Sequence, residues 1–345
     1  MTDYNTGMRS LIIGGTRNLG PSITQALLQQ GHEVAVFNRG QTRDDLPEEV
    51  ERLRGDRTDP EQLKAALGGR EFDLVVDTTL YTGAEAKAAV ELFADRVGRY
   101  IFLSTGQVYL VRIGVERPFK EEDYPGPVKP EPPKSDVQEY ENWLYGFDKR
   151  QAEDVFARAW TERKFPFTSL RLPMVNSERD HYDRIYGYFL RLQDGGPILA
   201  PADGVPEGEG LPLRHVYGED VVRAILRLAE SDLGKGRAYN IAQDETLSLE
   251  QFLEMLAELM HRPLKMVRVP REELDREGLL RDCSPFSGLW MSSLENTRSK
   301  KELEITYTPV RAYLKKLVSY YQAVPARKIE GYSRRAKELA LWQSR

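Results

Sequence analysis

Two spacings of apolar residues alternate along the first half of the chain. Short unbroken runs such as Leu11-Ile12-Ile13 and Leu74-Val75-Val76 are separated by longer stretches with apolar residues three and four apart. The first spacing belongs to a buried strand, the second to a helix with one apolar face. Strands are expected over residues 9–14, 33–37, 50–54, 72–77 and 100–104, and helices over 21–30, 59–67 and 83–97. Gly31 stops the first helix, and Asp59 caps the second with Pro60 at its first position. Strand–helix alternation at this pitch specifies an α/β fold, a doubly wound parallel sheet with right-handed crossovers.

The rhythm breaks over residues 117–135, which hold six prolines in PFKEEDYPGPVKPEPPK. That density excludes a helix or strand and reads as an ordered or semi-rigid surface loop. It follows a strand at its carboxyl end, the edge at which open α/β sheets bind ligands. A lid and a spacer suit that position equally. Helix resumes over 139–163, followed by a strand over 167–172. Beyond it come helices over 183–193, 219–231 and 248–260, a strand over 238–241, and the turn-rich GGPILAPADGVPEGEG. Three regions follow: residues 1–172 as the sheet domain, 173–325 as a smaller lobe interleaved with the last strands and laid over the sheet's carboxyl edge, and 326–345 as a basic tail.

Composition narrows the class. At 345 residues, 40% hydrophobic and 30% charged, the chain is of globular type. Its apolar runs fall short of the roughly 18–20 residues that cross a membrane, and MTDYNTGMRS lacks a charged-then-apolar signal. The single cysteine, Cys283, can form no internal disulfide, which fits a cytoplasmic location; a packed thiol is preferred to a nucleophile. A net charge of −5 argues against nucleic acid as the main partner. Residues 296–345 nevertheless carry twelve Lys or Arg against four Asp or Glu. A solvated basic face is the simple reading of that excess, and RNA contact the less favoured one. His32, His181, His215 and His261 have no metal-ligand spacing, so no metal is expected.

Candidate chemistry begins where the first strand ends, in GGTRNLG. A dinucleotide loop of the Rossmann type carries three glycines spaced three apart. Here Gly14 and Gly20 are the first and third, and Arg17 stands in the middle. The first glycine permits a tight turn, the last permits close helix–strand packing, and the helix N-terminus offers N–H groups to a pyrophosphate. Thr16, Asn18 and Leu19 complete the cofactor loop. The second strand ends in Phe37-Asn38-Arg39-Gly40, where an NAD site would carry Asp or Glu for the ribose 2′-hydroxyl. A carboxylate repels a 2′-phosphate and guanidinium groups bind it. Arg17, Arg39 and Asn38 therefore favour NADP, with NAD as the alternative. Asp56 ends the third strand, placed to accept the adenine amino group; Arg57, Thr78 and Thr79 are assigned to the same site.

The helix after the proline-rich loop carries Tyr145 and Lys149, four apart and so on one face. A free phenol titrates near pH ~10. A neighbouring ammonium and a cationic nicotinamide ring would stabilise the phenolate, so that Tyr145 could exchange a proton near neutrality. Lys149 could also bond the nicotinamide ribose. Thr105, next to Ser104 at a strand end, is chosen to orient the substrate hydroxyl.

With GGTRNLG, GDRTD, STGQVY, YGFDKR, RLPMV, GGPILAPADG and RHVYGEDVVRAI in this order, residues 9–321 resemble the extended short-chain dehydrogenase/reductases, the NAD(P)-dependent epimerase/dehydratase group. GGTR and FNRG most resemble an atypical subgroup that includes chloroplast stem-loop-binding proteins. The resemblance implies a Thr105–Tyr145–Lys149 triad, Pro173 beside the nicotinamide, and a homodimer packed through the helices at 83–97 and 139–163. It implies a small-molecule substrate, sugar-like or nucleotide-sugar-like. Gln107, Tyr109, Arg179, Arg214 and His215 are the residues expected at its pocket, with Tyr182 a candidate beside Arg179 and Arg214. Sugar-nucleotide dehydratases place Asp-Glu where this chain has Gly106-Gln107, so elimination of water by that route is not expected. Many epimerases place a diphosphate-contacting Asn where this chain has Met174. The expected function is an oxidoreductase or epimerase transferring hydride at a hydroxyl or ketone carbon. The alternative is a cofactor-binding RNA-binding or regulatory protein of the same fold.

Overall fold

The computed structural model describes residues 7–202 and 212–345. The turn-rich stretch beyond residue 202 and the first six residues of the N-terminal reading lie outside the described residues. The chain divides into two compact units. The first comprises Met1–Pro173, Gly218–Ala242 and Leu294–Thr306; the second comprises Met174–Tyr217, Gln243–Ser293 and Tyr307–Arg345. This differs from the three-part division expected from sequence. The chain returns twice to the first unit, and the tail at 326–345 is part of the second.

The first unit is built on the strands β1 (Arg9–Ile13), β2 (Glu33–Asn38), β3 (Glu51–Arg54), β4 (Phe72–Asp77), β5 (Val97–Thr105) and β6 (Phe167–Leu172). The returning strand Arg237–Asn240 completes a seven-stranded sheet in the order Arg237–Asn240, β6, β5, β4, β1, β2, β3, with every neighbouring pair parallel. Strand order reverses at β1, which lies between β2 and β4. At such a switch point the crossovers leave to opposite faces, and a crevice opens at the strands' carboxyl ends. The central strands are fully buried, with Leu11, Ile12, Leu74, Val75, Ile101 and Phe102 all at 0% exposure. Their continuous apolar runs follow from helices covering both faces.

The helices of this unit include α1 (Gly20–Gln29), α2 (Pro60–Leu67), α3 (Gly83–Phe93), the short α4 (Gln107–Leu110) and the long α5 (Val137–Arg163). Asp59 caps α2 by accepting from the N–H groups of Glu61 and Gln62. Thr82 and Glu85 form a reciprocal capping box at α3. α3 ends at Phe93, four residues short of the expected end, and β5 begins at Val97, three residues early. Val97 pairs with Phe72, so β5 must start level with β4; Asp95, at φ 58°, makes the turn between them.

The proline-rich loop contains one turn of 3₁₀ helix, Glu121–Asp123, where no helix was expected. Phe119 stacks on Tyr109 at 5.3 Å, Glu121 accepts from the Asn240 N–H at 2.8 Å, and the Tyr124 hydroxyl donates to Asp154 at 2.8 Å. The Trp143 indole donates to Lys129 O at 3.1 Å. The segment is anchored to the first unit at these points.

In the second unit, Ile198–Pro201 pairs with Met266–Val269, and Val175–Asn176 pairs with Val216–Tyr217. The helices Arg184–Asp194, Leu249–Leu259 and Val310–Ala323 share one apolar core. Much of the tail's charge is used inside this unit. Arg327 pairs with Asp183, Arg335 with Asp194 and Glu338, Lys337 with Glu277, and Arg345 with Glu273. Cys283 packs among Leu199, Val269, Leu274 and Leu279, and burial pushes its thiol up to about 12. Among the described residues no group of three His, Cys, Asp or Glu is placed to hold a metal ion, and no helix is long and apolar enough to cross a membrane.

Candidate active site

The loop between β1 and α1 lies at the switch point. Gly14 has φ 107°, and a Cβ there would come within 2.0 Å of the Thr78 hydroxyl. A Cβ on Gly20 would lie 2.4 Å from the backbone of Gly15, so only glycine lets α1 close onto the strand end. Arg17, at the middle position, is exposed and donates to the Thr42 hydroxyl at 2.8 Å. Its neighbour Asn18 takes the left-handed conformation, φ 50°. No described side chain caps α1, whose N-cap is Leu19 and whose first turn holds no acid. Thr16 is half-buried beside it. The Thr78 hydroxyl is already used, donating to Ile13 O at 2.9 Å, and the Thr79 N–H donates to Asp77 at 3.0 Å.

The ends of β2 and β3 lie side by side, with Asn38 in register with Arg54. The Asn38 side-chain Oδ1 accepts from the Gly40 N–H at 2.8 Å and from Arg54. Its buried Nδ2 has no hydrogen-bond partner among the described residues. Arg39 is exposed, and its charge reaches Asp56. Asp56 accepts from the hydroxyl and N–H of Thr58 at 2.7 and 2.9 Å, contacts that hold it below the usual carboxylate range. These residues fit a dinucleotide: α1 has no side-chain cap and an orphaned amide stands where the second strand ends, while the Gly14 and Gly20 N–H groups are taken by Phe37 O and Arg17 O. Arg54 was not singled out from sequence, because only the strand register sets it beside Asn38.

Arg57 turns inward. It is 9% exposed and pairs with Asp77, which also accepts from the Tyr100 hydroxyl at 2.6 Å. Its Nε and Nη1 have no partner among the described residues.

The carboxyl ends of β4 and β5 meet α5 at Lys149. Its ammonium is 3% exposed and donates to Leu80 O at 2.6 Å and Leu103 O at 2.9 Å. Burial pushes it down to about 8, against the pull of the Asp77 and Glu85 charges. The Tyr145 ring, one turn earlier, lies with its centroid 6.0 Å from the Lys149 Nζ. Gly146 sets the depth of this helix: a Cβ there would lie 2.7 Å from Gln107 O. A glycine inside a helical stretch is a signal of close approach that the sequence reading left unused.

Thr105 and Ser104 are split by the strand's alternation. The Thr105 hydroxyl accepts from the Gln107 N–H at 3.2 Å. The Ser104 hydroxyl donates to Glu153 at 2.5 Å and belongs to a buried set with Arg171. Tyr109, expected at the substrate, is fully buried: its hydroxyl donates to Asn240 at 2.8 Å and accepts from Arg171 at 2.6 Å. Both contacts are structural and leave it no reach toward a substrate. Gln107 is half-buried at the start of α4, and Pro173 is buried at the end of β6.

Arg179, Arg214 and His215 belong to the second unit. Arg179 is exposed, and the Arg214 Nε donates to Gln243 O at 3.0 Å. His215 is 1% exposed, lies edge-on to Phe286 at 4.5 Å, and is pushed down to about 3 by burial. It is a neutral core histidine at physiological pH.

Comparisons with known proteins follow this geometry. The chain is similar to 2′-dehydrokanamycin reductase of Streptomyces kanamyceticus, 26% identical over 77% of this chain and 70% of that one. It is similar to the chloroplast stem-loop binding protein of 41 kDa b of Arabidopsis thaliana, 26% identical over 70% of this chain and 60% of the relative's length. Among solved structures, UDP-glucose 4-epimerase of Thermotoga maritima superposes with a TM-score of 0.70, at 20% identity, over 91% of this chain and 99% of that one. The model of the NAD dependent epimerase/dehydratase family matches residues 10–242, which hold the glycine loop, the strand ends and Thr105, Tyr145 and Lys149, and the chain belongs to that family.

Proposed function

We propose that the protein is an NADP-dependent reductase or epimerase acting at a hydroxyl or ketone carbon of a sugar-like small molecule. The observation that carries this reading is Lys149, buried on the face of α5 that bears Tyr145 and clasped by the carbonyls of Leu80 and Leu103. The substrate class is supported by relatives named for 2′-dehydrokanamycin and UDP-glucose.

Residues 14–20, with the uncapped start of α1, hold the pyrophosphate, and Asp56 accepts from the adenine amino group. Arg17, Arg39 and the Asn38 amide take the 2′-phosphate; Arg54 lies beside them. The chemistry supplied by the bound nicotinamide is hydride transfer. Tyr145 takes the proton of the substrate hydroxyl on oxidation and returns it on reduction. Lys149 favours the Tyr145 phenolate by its charge. Thr105 orients the reacting oxygen. The lone buried cysteine supports a cytoplasmic setting, and the adjoining helices α3 and α5 are the surface through which a homodimer would form.

Fluorescence titration with NADPH and NADH tests the cofactor. Tight NADPH binding that weakens on the order of tenfold in Arg17→Ala and Arg39→Ala is expected; equal NADH binding overturns the assignment. Tyr145→Phe, assayed on keto-sugars and sugar nucleotides, should abolish turnover and leave cofactor affinity nearly intact. Unchanged turnover would remove Tyr145 from the chemistry.

A further inference from the structure

Lys149 is enclosed by more than its two carbonyls. Its Nζ lies 4.6 Å from the centroid of the Tyr81 ring and 4.8 Å from that of Phe102, both closer than Tyr145. Phe102 is a core residue of β5 with no exposure, so its place follows from packing. Tyr81 is different. It is 48% exposed, yet the peptide group that joins it to Leu80 is held through both its N–H and its carbonyl. Its N–H donates to the Glu85 carboxylate at 2.8 Å, and the residue before it, Leu80, gives its carbonyl to Lys149 at 2.6 Å. Its ring stands 5.9 Å from that of Tyr145, tilted by 54°. A half-exposed aromatic ring fixed by its own backbone against a buried cation is not explained by core packing, since half of it remains in water.

We propose that Tyr81 is a positioning residue for the Tyr145–Lys149 pair: its ring closes the solvent side of Lys149, stabilises the ammonium through its π-face, and keeps that charge beside Tyr145. The proposal rests on the reading of Tyr145 and Lys149 as the acid/base pair. An aromatic face attracts a desolvated ammonium more strongly than a hydrated one, so the ring opposes the loss of charge that burial imposes. The other charged groups that act on Lys149 are Asp77 at the end of β4, Glu85 on α3, Arg57 after β3 and Glu153 on α5. None of them changes when Tyr81 is replaced.

The test is an NMR pH titration of isotope-labelled lysine in the cofactor-free protein, with the Lys149 signal assigned by its loss in Lys149→Met. In the unsubstituted protein the signal should titrate near 8. The sign follows from the ring's favouring the cation: in Tyr81→Leu the midpoint should fall by roughly half a unit to one unit. Tyr81→Phe keeps the ring and should titrate with the parent. The alkaline limb of the pH–rate profile should move the same way, toward lower pH in Tyr81→Leu alone. A midpoint in Tyr81→Leu that stays put or rises overturns the proposal, since the ring would then act only as a cover against water. A Tyr81→Phe variant that behaves as Tyr81→Leu also overturns it, because the hydroxyl would be responsible. If Tyr145→Phe retains turnover, the functional reading fails while the Lys149 titration still decides the role of Tyr81.

Discussion

Two arginines buried in the first unit pair with carboxylates, and they are satisfied very differently. Arg171, on β6, donates through Nε to both oxygens of Glu153, through Nη2 to Glu153 at 2.6 Å, and through Nη1 to the Tyr109 hydroxyl. Its plane lies over the Tyr124 ring at 4.2 Å, and Ser104 adds a further bond to Glu153. Arg57 meets Asp77 through Nη2, and its Nε and Nη1 have no partner among the described residues. Buried donors are almost always paired, and the exceptions call for a cause. Arg171 sits behind the strand that carries Thr105, where rigidity is wanted. Arg57 follows Asp56 in the stretch read as the cofactor's adenine end, and turns inward to Asp77 at the end of β4. We read the saturated pair as framework and the idle donors of Arg57 as part of the proposed cofactor site.

The largest test of that contrast removes the carboxylate from the saturated pair. Glu153→Ala leaves Arg171 charged and buried, and takes the acceptor from Ser104. A loss of about 3–5 kcal/mol in denaturant unfolding is expected. A loss under about 1 kcal/mol would mean that water reaches Arg171 and that the framework reading is wrong.

The second test neutralises the other pair. In Arg57→Met with Asp77→Asn, the asparagine oxygen keeps the Thr79 N–H and its NH2 can donate to the Tyr100 hydroxyl, which then turns to accept. Stability should then change by less than about 1.5 kcal/mol, while affinity for NADPH falls on the order of tenfold. Unfolding as severe as that of Glu153→Ala would place Arg57 in the framework beside Arg171 and end the distinction.

The two pairs also show what a sequence discloses. The strands β1, β2, β4 and β5 are legible because each holds an apolar run between polar ends, whereas β3 is the mostly charged ERLR at the sheet's edge; the parallel arrangement follows from alternation. GGTRNLG and the Tyr145–Lys149 spacing are legible because local chemistry demands them. Arg57 was assigned to the cofactor from its place beside Asp56, but its partner Asp77 is twenty residues away and is met only through strand order. Tyr109 was assigned to the substrate, but its hydroxyl is bonded to Asn240, a residue 131 positions later. Arg54 and Tyr81 were passed over for the same reason: each acquires its meaning from a neighbour that only the fold supplies. No element was assigned after residue 260, although Val310, Tyr313, Leu314, Leu317, Val318 and Tyr321 recur at helical spacing and pack into the core of the second unit.

The smallest test compares two buried tyrosines, one attached to each pair. Tyr109 donates to Asn240 and accepts from Arg171, so Tyr109→Phe leaves a guanidinium nitrogen and an amide oxygen without partners. Tyr100 makes one bond, to Asp77, which retains Arg57 and the Thr79 N–H when that bond is lost. Removing one partner of a buried hydrogen bond costs about 1–3 kcal/mol according to how many groups are stranded. Tyr109→Phe should therefore destabilise by about 2 kcal/mol and Tyr100→Phe by about 1 kcal/mol, measured by denaturant unfolding under identical conditions. The reverse order would show that the Asp77 cluster is the more tightly built of the two, and that the idle nitrogens of Arg57 say nothing about where this protein meets its ligand.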